Sequence, residues 1–125
     1  FNLMLLPLLL ASPVATRSSQ PPSPLAEEIT AISGDALPSC GVAVAQDEIQ
    51  AALDCAHAAM LKNQPFVAQV RVEGIDSVAW QAAVQLPSGQ RLLLEHDDFG
   101  DGRSTRVSCR TFSFTDAILP IRCEP

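Results

Sequence analysis

The side chains here with chemistry within reach are His57 and His96, the cysteines Cys40, Cys55, Cys109 and Cys123, and an acidic run from Asp97 through Asp98 to Asp101. Glu95, Asp97 and Asp98 surround His96, and a carboxylate beside an imidazole is how a general base is oriented. Adjacent residues on a strand point to opposite faces, however, so Glu95 and Asp97 are poorly placed to hold the His96 ring. Hydrolysis or metal chemistry at His96 with neighbouring carboxylates is therefore the alternative reading. His57 falls about 80° from Ile49 on a helical wheel, at the border of an apolar stripe, where a half-buried or surface histidine is expected. An EF-hand loop opening at Asp97 would place Phe99 and Ser108 where two oxygen ligands belong, so the run is not one. Asp97, Asp98 and Asp101 instead read as a hairpin tip able to contact a cation or a basic partner.

The chain contains no GxSxG, SxxK, GxGxxG or GxxxxGK[ST]. Any two of its fourteen acidic residues could meet in a glycosidase-like pair, but nothing selects a pair. A non-enzymatic protein without a cofactor is expected.

The four cysteines show no CxxC spacing, which argues against a structural zinc site and for two disulfides. Three pairings are open. With Ile49 at zero on a helix over 47–60, Leu53, Ala56 and Met60 fall within about 40° of it, while Cys55 lies about 240° round. That position flanks the stripe and suits a bridge to the segment arriving before the helix. Cys40–Cys55 with Cys109–Cys123 is the favoured pairing, and a loop of about 15 residues is worth roughly 3 kcal/mol in the chain-entropy account.

At 125 residues the chain makes one domain. Eight Lys and Arg against fourteen Asp and Glu leave a net charge of −6, the wrong sign for nucleic acid or anionic lipid. Residues 1–15 open with FNLMLLPLLLA, too short to span a bilayer and broken by Pro7, and they read as a signal peptide whose start is truncated. Cleavage is placed after Ala15, with Ala11 and Ser12 as alternatives. No cysteine follows the run to accept a lipid, so a periplasmic or secreted protein without a membrane anchor is expected. Residues 16–39 are Pro- and Ser-rich and read as a flexible linker, in which Leu25, Ile29 and Ile32 have the spacing of a short helix that needs tertiary support.

Residues 40–125 form the expected domain. Asp47 is read as the N-cap of the helix over 47–60, which Asn63 and Pro65 stop. Alternating patterns then predict strands at 66–73, 78–86, 91–97 and 105–114. In the last, Val107 and Cys109 are out of phase with Phe112 and Phe114, which demands a bulge or break near Arg110. The expected fold is α+β: one helix on the apolar face of a four-stranded antiparallel meander, stapled by two disulfides. Its core is Ile49, Leu53, Ala56, Met60, Phe66, Val70, Val72, Val78, Trp80, Val84, Leu92 and Leu94.

Cys40–Gly41, the DCAHAA of 54–59, Pro65–Phe66, the GIDSVAW of 74–80, Cys109–Arg110 and Cys123 form a pattern that resembles small exported bacterial proteins with no assigned activity. The resemblance implies export and disulfides and assigns no catalytic residue. The expected function is a monomeric, non-catalytic binding or accessory domain of the bacterial cell envelope, meeting a protein or small ligand at an exposed edge strand or at the acidic tip.

Overall fold

A computed structural model of the chain describes residues 23–34, 37–74, 76–98 and 102–125. The signal-peptide reading therefore lies outside the described residues, as does Asp101.

Among the described residues nine elements follow in chain order. They are α1 (Ala26–Ser33), β1 (Ser39–Ala43), α2 (Gln46–Leu61), β2 (Phe66–Glu73), β3 (Val78–Gln85), β4 (Arg91–Asp97), β5 (Arg103–Cys109), β6 (Thr111–Phe114) and β7 (Ile121–Glu124). The helix α2 buries Ile49, Ala52, Leu53 and Ala56, a stripe with the expected 3.6-residue period. Its N-cap is Ala45 and not Asp47. Glu48 does the capping by reaching back: its Oε1 accepts the backbone N–H groups of Ala45 (2.9 Å) and Val44 (3.0 Å). Those two bonds, Ala45 first, hold the Glu48 carboxyl below its usual range. At the other end Asn63 takes a positive φ of 54° and closes the helix.

The expected four-stranded meander is corrected in two places. Strands β2 to β5 do run antiparallel in sequence order, but β1 joins the β2 edge in parallel, giving a five-stranded mixed sheet ordered β1-β2-β3-β4-β5. A parallel neighbour needs a crossover, and α2 supplies it. The last expected strand divides at Arg110: β5 ends at Cys109, and β6 pairs with β7 in a separate two-stranded sheet. The clash of phase between Val107 and Phe112 is resolved by this change of sheet.

A second correction concerns the layers. Phe66, Ala68, Val70 and Val72 of β2 stand opposite Gln85, Ala83, Gln81 and Ala79 of β3, so the large apolar residues of β3 lie on the other face. Both faces must then be covered. On one, α2 and Phe112 and Ile121 pack over Phe66, Val70 and Leu93. On the other, Leu25 and Ile29 of the α1 segment pack over Val67, Trp80, Val84, Leu92 and Leu94. Trp80 and its neighbours thus belong to a core that α2 does not touch. Part of the stretch read as linker is integral to the fold, and Leu25 is 0% exposed. Disulfides join Cys40 to Cys55 and Cys109 to Cys123, the pairing favoured from the position of Cys55 on its helix.

Leu25→Ala should lower the free energy of unfolding by about 2–5 kcal/mol, the cost of emptying a closed apolar site. Urea denaturation checks this, and an unchanged midpoint would show that α1 contributes no core.

Candidate binding edge

A group of polar contacts places the second sheet and, through it, the open strand of the first. Gln81 of β3 is buried on the α2 face. Its side-chain amide forms two bonds to one residue of β7: Nε2 donates to the Ile121 carbonyl (2.8 Å), and Oε1 accepts the Ile121 N–H (2.9 Å). The same Nε2 donates to Glu95 Oε2 on β4 (2.7 Å). The amide thereby stands in for a strand backbone and holds β7 across the sheet face.

Four residues on, Gln85 is buried as well. It donates through Nε2 to Asn63 Oδ1 (3.2 Å) and accepts from Arg91 Nε (2.8 Å). Arg91 also donates to the Arg110 carbonyl (2.7 Å), and Arg110 N donates to the Glu124 carbonyl (2.6 Å). With the Cys109–Cys123 bridge, these bonds fix the corner where the chain leaves the main sheet. Alternation alone assigns Gln81 and Gln85 to a wet face. Hydrogen bonding to Ile121 and Asn63, both distant in sequence, is what permits their burial.

Because β6 turns away at that corner, β5 is the outer strand among the described residues. Its residues from Arg103 to Ser108 are all exposed. Val107 stands directly opposite Leu93 and so shares the face crossed by β7. Next to it runs an open groove of about 750 Å³ lined by Leu93, Glu95, Ile118, Leu119, Ile121 and Arg122. Val107, Ile118 and Leu119 are exposed apolar side chains around this region. The opposite face of β5 carries Ser104, Arg106 and Ser108.

The residues singled out from sequence are placed as follows. Asp97 ends β4 opposite Arg103, and Asp98 Oδ1 accepts the Val78 N–H (3.0 Å), so this carboxylate fastens the start of β3. Asp101 lies outside the described residues. His96 Nδ1 lies 2.7 Å from Ser104 Oγ on the neighbouring strand. His57 packs edge-on against Phe114 at 6.1 Å between ring centres. Among the described residues no group of three His, Cys, Asp or Glu side chains stands close enough to hold a metal ion, and no helix is long and apolar enough to cross a membrane.

No protein-family model, no curated protein and no solved structure matches the chain.

Gln81→Met keeps the volume and apolar stem but leaves the Ile121 N–H and carbonyl buried without partners. Stability should fall by about 2–4 kcal/mol. Amide exchange in β6 and β7 should accelerate ahead of the main sheet. A loss under about 0.5 kcal/mol would show that the amide does not hold β7.

Proposed function

We propose that the protein is a soluble exported binding or accessory domain of the cell envelope, without catalytic activity, which takes an extended segment of a partner on the open edge of β5. The observation that carries this reading is a strand of seven residues at the rim of the sheet with neither face covered, among the described residues, along most of its length. A bare edge is a template for another strand, and proteins usually shorten, cover or bend such edges away. Here the chain bends β6 away and leaves β5 in unbroken register with β4. Two disulfides in a small domain support an oxidising compartment.

The test is a photo-crosslinking residue at Thr105, compared with one at Gln50 on the exposed side of α2, in protein produced in the cell envelope. Crosslinks from Thr105 should map by mass spectrometry to an extended segment of one partner polypeptide, with none from Gln50. Equal labelling from both positions, or none from Thr105, would overturn the reading.

One contact favours a second reading, hydrolysis at His96. The 2.7 Å approach of Ser104 Oγ to His96 Nδ1 is the contact by which a histidine takes the proton of a serine nucleophile. This reading predicts cleavage of p-nitrophenyl acetate by the purified protein, lost in both Ser104→Ala and His96→Gln. Hydrolysis at the buffer rate, or activity retained in either variant, would contradict it.

A further inference from the structure

The β5 edge is basic in an acidic protein. The chain carries −6 overall, yet Arg103, Arg106 and Arg110 fall within eight consecutive residues that hold no Asp or Glu and are three of its eight cationic side chains. Arg110 stands just past the end of the strand, and on the strand itself Arg103 and Arg106 are divided between faces. Arg103 and Val107 lie on the side of the groove, and Arg106 lies on the other. The Arg106 side chain is 54% exposed, with Glu28 of α1 at 4.0 Å. Asp97 stands across from Arg103. Each guanidinium has five N–H donors, so a neighbouring carboxylate does not exhaust it.

These charges select what pairs with the edge. A second copy of β5 would bring arginines beside arginines, which like-charge repulsion disfavours. A strand bearing carboxylates gains from the same arginines. We propose that β5 accepts an extended acidic segment of a partner protein, whose apolar side chain covers Val107 and whose carboxylates meet Arg106 and Arg103. The proposal rests on the strand-accepting reading of β5 above and adds the chemistry of the partner.

Register then dictates a pattern. The partner residue opposite Val107 is apolar, as 46% of Val107 is open to solvent beside Leu93. Its neighbour, opposite Arg106, is acidic and points to the other face. The residue three positions further, opposite Arg103, is acidic and returns to the groove side. An antiparallel partner therefore reads apolar-acid-any-any-acid, and a parallel partner reads the reverse.

Short threonine-rich peptides carrying Val-Glu-Thr-Thr-Glu, or its reverse, test this against versions with both Glu replaced by Gln or by Lys. One of the two Glu peptides should bind about tenfold tighter than its Gln version at low ionic strength, weaken with added salt, and slow amide exchange along β5. N-methylation of alternate peptide amides should abolish binding, because it removes the ladder and leaves the charge. The double variant R103E/R106E should prefer the Lys peptide, and R103Q/R106Q should bind Glu and Gln peptides alike, with melting curves showing that both fold. Equal binding of Glu and Gln peptides to the native protein, with β5 amides protected, would overturn the acidic preference and leave the strand-accepting edge standing. Binding that survives N-methylation, or no binding by any peptide, would overturn both.

Discussion

The side-chain amide of Gln81 is the point on which the arrangement of the two sheets depends. Its oxygen and one of its N–H groups meet both polar groups of Ile121 in a site closed to water, as a strand backbone would, while Nε2 also donates to Glu95. A polar group buried in this way is costly unless paired, and a pair this complete has few alternative positions along the chain. It therefore fixes where β7 crosses the sheet, and the Cys109–Cys123 bridge and the Arg91 bonds fix where the chain turns to reach it. With the corner and the crossing both set, β5 has no covering strand among the described residues. The open edge is a consequence of how the chain is closed elsewhere.

The body that carries this edge is a mixed sheet packed on both faces. The helix α2 serves as the crossover between parallel strands and as the lid of one core, and α1 covers the other. Each layer is thin. Disulfides reinforce the places where the main sheet ends, one tying β1 to α2 and the other tying β5 to β7. Under the binding role proposed for β5, a cross-linked frame of this kind would hold the edge extended in advance and lower the cost of ordering it on contact.

Much of this frame is legible in the sequence. The helix, the order of the central strands, the break near Arg110 and the disulfide pairing all follow from local period and phase. What escapes is decided by contacts distant in sequence. Ser39–Ala43 is short and contains Gly41 at a positive φ of 100°, so β1 has no alternating signature and depends on β2 for its existence. Leu25 and Ile29 reveal a stripe too short to be a helix alone. By period alone Trp80 reads as part of the α2 core, and the β2–β3 register assigns it to the opposite face. Gln81 reads as solvated because nothing local announces Ile121, forty residues away. Of the candidate site, the histidines and the acidic tip draw attention by residue type. The arginines of β5 are equally visible in the sequence, but only the position of that strand at the rim suggests the role proposed for them.

The central claim is that β5 is an ordered strand with one side unpaired. In an antiparallel edge strand, residues alternate between those whose N–H and carbonyl point to the neighbour and those whose groups point outward. Residue-resolved amide exchange of the free protein in its native state measures this directly. The account predicts alternation from Arg103 to Cys109, with every other amide protected by β4 and those between exchanging at rates near those of an open chain. Uniform protection along β5 would mean that the edge is already covered, and uniformly fast exchange would mean that no strand is held there; either result would contradict the account.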